Sequence, residues 1–334
     1  MNDPHPSQLM FKMITGYWVT QLVGAFAELG VADALAGGPR TTRELAERVG
    51  VDAGALERAL RAAASVGVVR LETDRWATTP LGDTLRSGTK GSLRDMAIAQ
   101  SAEGHWLPWG RFREALRTGT RQTLGALGAE IWDHYAKHPS EGRAFSGAMR
   151  DLSALVAGEV ASTLRLEGAK RVVDVGGANG TLLAAVLGAN PSATGVLLDL
   201  PHVAEGGRAA LDQTPVASRC EVVGGDFFDR VPDGDVYLLK QVLHDWDDDK
   251  CGVILRNCAR GLGRGGRVAI VEMIVPDDLR PSPAQLMDLN MLVMLTGRER
   301  TRAEYDTLLG AAGLRIEHVH ETHSPFQIIE AVAS

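Results

Sequence analysis

Residues 171–183, "RVVDVGGANGTLL", carry the strongest architectural signal in the chain. An apolar run from Val172 to Val175 leads into Gly176, Gly177 and Gly180, and a helix-forming sequence follows. Glycines between a strand and a helix let the backbone turn tightly and approach a ligand. Many folds use such a turn, so its neighbours must be read with it. Asp174 stands before the glycines, where a dinucleotide fingerprint carries an apolar residue. Asp199 ends the next apolar run and is placed to accept hydrogen bonds from ribose hydroxyls. Asp226, in "GGDFF", closes the third run, where it can reach an adenine amino group with Phe227 against the ring face. Strand-end acids also cap helices. Three in succession behind a glycine turn point to a nucleoside-bearing ligand instead.

Working outward, "RVVDV", "GVLLD", "CEVVG", "DVYLLK" and "RVAIVEMIV" are short runs rich in Val, Leu and Ile, separated by helical stretches. Runs of this kind are strands of a parallel sheet covered on both faces. The expected fold class is therefore α/β and doubly wound, with ligands at the carboxyl ends of the strands. "LRIEHVHE" and "FQIIEAVA" have no helix between them and suggest a terminal antiparallel pair.

Upstream, "TTRELAERVG" opens with Thr41, has Glu44 three residues on and stops at Gly50, a capping-box helix. A second helix runs from Asp52 towards Gly67, and a short hairpin surrounds Thr73-Asp74, so residues to about 90 resemble a winged helix-turn-helix. Between Thr41 and Arg61 there are four arginines (43, 48, 58, 61) and four acids (44, 47, 52, 57). A recognition helix for DNA should be distinctly basic, so a dimerisation and packing role is expected. An apolar amphipathic helix is expected over about 12–36; it is too apolar for one covered face, and a homodimer follows. Residues 91–168 read as helical, with a long helix from Pro139-Ser140-Glu141 whose stripe is Phe145, Met149, Leu152 and Val156.

The chain has 334 residues, which suits two domains, and its 45% apolar content is enough for a full core. The net charge of -7 argues against non-specific nucleic-acid binding. Three cysteines, with no CxxC and no His/Cys spacing, suggest neither a disulfide framework nor a zinc site, and fit a reducing cytoplasm. The start, "MNDPHPSQLMFKM", has no basic region followed by an apolar block, and the apolar run after it is broken by Gln21, Glu28 and Asp33, so neither a targeting signal nor a membrane span is expected.

One more strand end stands out. "VYLLK" runs into His244, followed by Asp245, Trp246 and the acids 247–249, which open a helix where negative charge is favourable. "VDVGGANG", "LLDLPHV", "GGDFF", "LLKQVLHDWDDD", "EMIVP" and "GRERT" resemble, in order, the motifs of the S-adenosylmethionine-dependent O-methyltransferases of plants and bacteria. That family includes the caffeic acid and hydroxyindole enzymes and the bacterial tailoring enzymes of phenazines and aromatic polyketides. The resemblance covers nearly the whole chain. It implies an N-terminal, mostly α winged-helix dimerisation domain (1–90), a helical region contributing to the substrate pocket (91–168) and a C-terminal Rossmann-like methyltransferase domain (169–334). Where the family has a third glycine, this chain has Ala178.

The same resemblance implies S-adenosyl-L-methionine as cofactor. Gly176 would lie along its methionine part, Ser153 near the methionine carboxylate, Asp199 at the ribose, and Asp226 and Phe227 at the adenine; Lys240 would sit near it and Trp246 would cover the adenine. His244 falls where the family places its general base, with Glu272 and Glu299 as its candidate carboxylate partners. Asn290 and Met291 would face the substrate, with Phe145 and Met149 opposite and Trp106 as a further candidate. The partner expected is a small aromatic, hydroxylated metabolite.

The chemistry gives a reason for the histidine. A sulfonium already donates methyl readily, whereas a phenol is a poor nucleophile until it loses its proton. With a phenol near pKa 10 and imidazole near 6.5, full transfer beforehand would cost roughly 5 kcal/mol. Removing the proton as the oxygen attacks avoids part of that cost. A carboxylate beside the imidazole stabilises the imidazolium and fixes its tautomer, and holding oxygen, carbon and sulfur in line supplies the rest. No metal is required and the sequence suggests no ligand cluster for one. Two other readings stay open at this point: a family member with altered chemistry, such as decarboxylation or hydroxylation, and a winged-helix regulator.

Overall fold

The computed structural model describes residues 5–164, 166 and 168–334. The first four residues, part of the segment read above for a targeting signal, lie outside these. Among the described residues no helix is long and apolar enough to cross a membrane. Residues up to Leu107 together with Trp132–Asp151 form one compact unit, and Pro108–Ile131 with Leu152–Ser334 form a second. The helical region expected over 91–168 is thus divided between the two, with the division inside the helix Pro139–Thr163.

In the first unit, the single helix expected over about 12–36 is instead three: α1 (Pro6–Ile14), α2 (Gly16–Glu28) and α3 (Val31–Leu35). The hydroxyl of Thr15 turns back onto the Phe11 carbonyl at 2.8 Å, competing with the backbone ladder. Gly30 then takes a left-handed φ of 68°, which ends α2 and starts α3. Helix α4 (Thr42–Val49) has the expected capping box between Thr41 and Glu44 and ends at a left-handed Gly50. Helix α5 (Ala53–Ser65) starts on Asp52, whose carboxylate accepts from the Ala55 amide. Strands β1 (Val69–Glu72) and β2 (Arg75–Thr78) pair antiparallel around Thr73-Asp74. Phe26, Leu35, Leu45, Leu60 and Trp76 are buried together as the core of this module. Phe11, Met13, Ile14, Tyr17 and Trp18 remain exposed along α1 and α2, an uncovered apolar strip of the kind that marks a protein interface.

The second unit is built on a seven-stranded sheet. Its strands are β3 (Arg171–Val175), β4 (Thr194–Asp199), β5 (Cys220–Gly224), β6 (Gly234–Lys240), β7 (Leu262–Glu272), β10 (Leu314–Glu321) and β11 (Gln327–Ala333), with β8 (Ile274–Val275) and β9 (Arg300–Thr301) forming a separate parallel pair. The sheet order is β10-β11-β7-β6-β3-β4-β5. Strands β3 to β7 run parallel; β10 and β11 are antiparallel to each other, and β11 is antiparallel to β7. One expectation changes: "RVAIVEMIV" is not one strand but β7 followed by the short β8, which pairs with β9. The parallel order reverses at β3, with β4 on one side and β6 on the other, and that switch point is where a doubly wound sheet opens a ligand crevice. Val173, Val196, Leu239 and Ile270 pack one face of the sheet, while Val172, Leu197, Leu238 and Val271 pack the other. Burial on both faces is why the strands read as continuous apolar runs.

The glycine turn after β3 is sterically determined. A methyl group on Gly177 would lie 2.5 Å from the Asp174 carboxyl and 2.5 Å from Leu197 Cδ1. Ala178 already occupies a left-handed φ of 49°. Gly177→Ala should therefore destabilise the protein by about 1–3 kcal/mol through overpacking, whereas Ala178→Gly should change stability by less than about 1 kcal/mol. Urea unfolding of both variants checks this; a harmless Gly177→Ala would contradict the packing described.

Candidate functional site

The carboxyl ends of β3, β4, β6 and β7 bring two groups of side chains to one end of the sheet. The first lines the crevice. Gly176 has a φ of 67°, and a Cβ there would come within 3.1 Å of Val242 and 3.6 Å of Phe227. Its lack of a side chain leaves room that any other residue would fill. Asp199 accepts from the Ala178 amide at 2.9 Å and the Leu200 amide at 2.7 Å, so the acid at the end of β4 helps shape the glycine turn. An ionised carboxylate has about four lone-pair sites, so capacity for hydroxyl donors remains. Burial nonetheless raises the Asp199 pKa. Asp174 is fully enclosed, and burial, reinforced by the charge of Asp199, pushes it up to about 7. Its Oδ2 has no hydrogen-bond partner among the described residues.

Asp226 accepts from the Phe228 amide at 2.8 Å, which folds its loop and presents Phe227. Phe228 meets the Trp246 ring edge-on at 4.9 Å, and Phe227 lies 6.3 Å from the same ring. The aromatic residues expected around adenine therefore do come together. Lys240, at the end of β6, donates to Gln241 Oε1 at 2.6 Å and lies 5.3 Å from the Phe326 ring centroid. Burial pulls its pKa down to about 8, against the charges of Glu272, Asp174 and Asp245. Ser153 is half-buried on the helix Pro139–Thr163.

The second group surrounds His244, on a single 3₁₀ turn, Leu243–Asp245, just beyond β6. Glu299 Oε1 lies 2.7 Å from His244 Nδ1. Glu272 Oε2 lies 3.7 Å from the same nitrogen, while its Oε1 accepts from the amides of Val242, Leu243 and His244 at 3.1, 3.1 and 3.4 Å. The two glutamates thus divide the work: Glu299 hydrogen-bonds the ring and Glu272 holds the backbone of the turn. Both arrive through the strand pairing, since Glu272 ends β7 and Glu299 precedes β9, whose partner β8 follows β7 two residues on. Asp245 Oδ1 stands 3.3 Å from the other ring nitrogen, Nε2. Burial alone would lower the histidine pKa, but Glu272, Asp245 and Glu299 outweigh it and raise it to about 10. Burial likewise raises Glu272 to about 7 and Asp245 to about 6.

The turn is clamped from outside by residues that sequence reasoning missed or misjudged. Arg298 pairs with Asp248 and Glu304 and not with its neighbour Glu299. Arg300 is fully buried and donates to the carbonyls of Leu243 and Trp246 and to Asp248 Oδ1 at 3.0, 2.9 and 2.7 Å. The Cys251 thiol also donates to the Leu243 carbonyl, at 3.1 Å. Gly297 permits the approach, because a Cβ there would lie 2.0 Å from the His244 carbonyl oxygen. Gln241 enters the turn with a left-handed φ of 50°, uncommon for a non-glycine residue and typical of strained functional positions. The "GRER" spacing hints at such a clamp only once its position beside His244 is known.

Asn290 and Met291, expected to face the substrate, lie on the helix Pro283–Met294. Met291 is buried, and Asn290 Oδ1 accepts from Trp109 Nε1 at 2.9 Å. Trp109, which lies in the same unit as Asn290, is not singled out by the sequence. Trp106, Phe145 and Met149 belong to the first unit. There Phe145 stacks on Tyr135 at 4.9 Å and Trp106 lies 6.2 Å from Tyr17. The sequence suggests no metal-ligand cluster, but two groups of ligating side chains do come together among the described residues. His244, Glu272 and Glu299 bring ligand atoms within 4.8 Å of one another, and so do His134, His138 and Glu141 in the first unit.

Comparison with known proteins accounts for this arrangement. The family profile described as the O-methyltransferase domain matches residues 109–315, and that of the O-methyltransferase dimerisation domain matches residues 11–88. The phenazine O-methyltransferase PhzM of Lysobacter antibioticus is 41% identical over 97% of this chain and 96% of its own. The phenazine-1-carboxylate N-methyltransferase of Pseudomonas aeruginosa is 33% identical over 93% and 92%. The crystal structure of human N-acetylserotonin methyltransferase in complex with SAM superposes with a TM-score of 0.92, at 27% identity, over 100% of this chain and 99% of that one. With the doubly wound sheet, the glycine crevice and the winged-helix module already in place, these matches identify the chain as a member of the S-adenosylmethionine-dependent O-methyltransferase family.

Proposed function

We propose that this enzyme methylates a hydroxyl, most simply a phenolic one, of an aromatic secondary metabolite, with His244 as general base. The observation that carries the proposal is the cage that buried Glu272 and Glu299 and half-buried Asp245 form around one imidazole. The crevice fits the cofactor: Gly176 leaves a cradle that a Cβ would fill, Asp199 keeps acceptor capacity for ribose hydroxyls, and Asp226, Phe227 and Trp246 form a polar-aromatic wall for adenine. Lys240 and Ser153 complete the proposed binding set, and Asn290 and Met291 are proposed to contact the acceptor. When bound, the cofactor supplies an electrophilic methyl group. The chain is proposed to work as a homodimer, for which the matched dimerisation domain and the apolar strip on α1 and α2 are the support.

His244 Nδ1–H donates to Glu299, which leaves Nε2 as the nitrogen that exchanges a proton with the acceptor, beside Asp245. An imidazole raised to about 10 matches a phenol near 10, so the mismatch that an ordinary histidine would face largely disappears. The same shift means that the ring holds a proton at neutral pH in the free enzyme and must release it before it can act as a base. A hydroxyl acceptor needs such a base. An aromatic ring nitrogen attacks through a lone pair and carries no proton to remove, so the histidine cage favours oxygen over nitrogen as the acceptor atom.

Two measurements follow. His244→Ala should lower methyl transfer from labelled S-adenosylmethionine to a phenolic acceptor by about 10²–10⁴-fold, with cofactor affinity kept. Equal activity in the variant would remove the histidine from the chemistry and suit a nitrogen acceptor. For wild type at saturating cofactor, kcat/KM should climb about tenfold per pH unit from pH 7 towards 9, because deprotonation of the imidazolium is required. In Glu299→Gln the lost negative charge lowers the histidine pKa, so the rise should move to lower pH; a profile already flat above pH 7 in wild type contradicts the assignment.

Arg300 provides a separate check on the turn. Arg300→Lys keeps the charge but not the fork that spans two carbonyls, so kcat should fall by about tenfold while the KM for cofactor stays within about twofold. Arg300→Met should in addition cost about 1–3 kcal/mol in urea unfolding, because buried carbonyls lose their donors. Unchanged kcat in the lysine variant would show that the clamp is irrelevant to the reaction.

A further inference from the structure

The first unit holds a second cluster of ligating side chains that the methyl-transfer reaction does not use. His134 is on the helix Ile131–Lys137, and Glu141 is in the first turn of the helix Pro139–Thr163. His138, between them, continues the helical hydrogen-bond pattern: its amide bonds to the His134 carbonyl at 2.8 Å, and the Gly142 amide bonds to its own carbonyl at 3.0 Å. Spacings of four and three residues place His134, His138 and Glu141 on one face. Their ligand atoms lie within 4.8 Å of one another. The two imidazoles stack at 4.1 Å with an interplanar angle of 20°. His134 Nε2 and Glu141 Oε2 are 3.2 Å apart.

We propose that His134, His138 and Glu141 form a binding site for a divalent transition-metal ion of the zinc class. Nitrogen and oxygen ligands at about 2.0–2.2 Å from a tetrahedral ion are separated by about 3.4 Å, close to the distance already present between His134 and Glu141. Two imidazoles and a carboxylate suit zinc and its neighbours rather than calcium or magnesium, and leave a position for water. His134 is buried, whereas His138 is exposed and stacked on it, so the His138 ring must turn out of that stack to aim its nitrogen at an ion shared with His134 and Glu141.

A second feature supports the site independently. The Gly104 amide donates to Glu141 Oε2 at 2.9 Å, which orients the carboxylate in the manner of an outer-shell hydrogen bond. Gly104 is buried, and a Cβ there would lie 2.7 Å from Glu141 Oε2 and 3.2 Å from His134 Nε2. Glycine at this position keeps the space beside both ligands open. A bound ion would fasten the helix Ile131–Lys137 and the start of the helix Pro139–Thr163 to the turn at Gly104, all within the first unit.

The test is equilibrium dialysis of the tag-free, full-length protein against Zn2+ with the bound metal quantified, repeated with Co2+, whose visible absorption reports ligand geometry. Wild type should bind one ion per chain in the micromolar range. His138→Ala and Glu141→Gln should each weaken binding by about 10–100-fold. His138 is exposed, so its variant retains the fold, which circular dichroism checks. His244→Ala should bind as wild type does, which separates this site from the buried His244 cluster. Binding that survives in His138→Ala, binding lost only in His244→Ala, or no stoichiometric binding below millimolar Zn2+ would each overturn the proposal.

Discussion

The contact on which this structure turns is the 2.7 Å approach of Glu299 Oε1 to His244 Nδ1 in a site shielded from water. Gathering three carboxylates around one imidazole is unfavourable unless charge and hydrogen-bonding capacity are balanced, because an unpaired buried charge costs several kcal/mol. The fold balances it in two ways. Glu272 is neutralised in part by three amides of the turn that carries His244, so the acid and the backbone stabilise each other. Arg300 ties down the carbonyls of the same turn and draws Asp248 to the outer side. Glu272 Oε2 and Glu299 Oε2 have no hydrogen-bond partner among the described residues, and removing either support would add further unsatisfied groups.

That arrangement depends in turn on the sheet. Strand β6 delivers His244, β7 delivers Glu272, and the short β8–β9 pair brings Glu299 and Arg300 to the same end. The reversal of strand order at β3 opens the crevice beside this cluster, so the glycine turn and the histidine turn face a common region of the second unit. Gln241 and Ala178, both with left-handed φ, lie on the two connections that border it. Strain of about 1–3 kcal/mol per residue is sustained where surrounding packing determines the conformation, and here the buried strand ends provide that packing.

Much of this was legible in the sequence because local rules carry it. The strands of the sheet appear as apolar runs since both their faces are covered. Thr41 with Glu44, and Asp52, announce their helices because capping is chemistry within four residues. His244, Glu272 and Glu299 could be singled out by strand-end position and motif. Which glutamate bonds the ring could not, since that depends on whether Glu272 finds the amides of a turn 30 residues earlier. Arg300 reads as a surface residue in any local window and is buried only because Gly297 lets its segment press against the histidine turn. The apolar stretch over 12–36 kept a helical period throughout, and periodicity does not register the breaks at Thr15 and Gly30.

We propose that the carboxylate cage makes His244 an unusually strong base, and titrating that ring measures the effect itself. Protein with isotope-labelled histidine, followed by nuclear magnetic resonance across pH 5 to 10.5, gives the pKa of His244 once its signal is assigned through His244→Ala. The ring should stay protonated beyond pH 9, as a pKa of about 10 requires, and should titrate at lower pH in Glu299→Gln. A ring that loses its proton near 6.5, as an ordinary histidine does, and ignores Glu299→Gln would show that the carboxylates do not hold its proton.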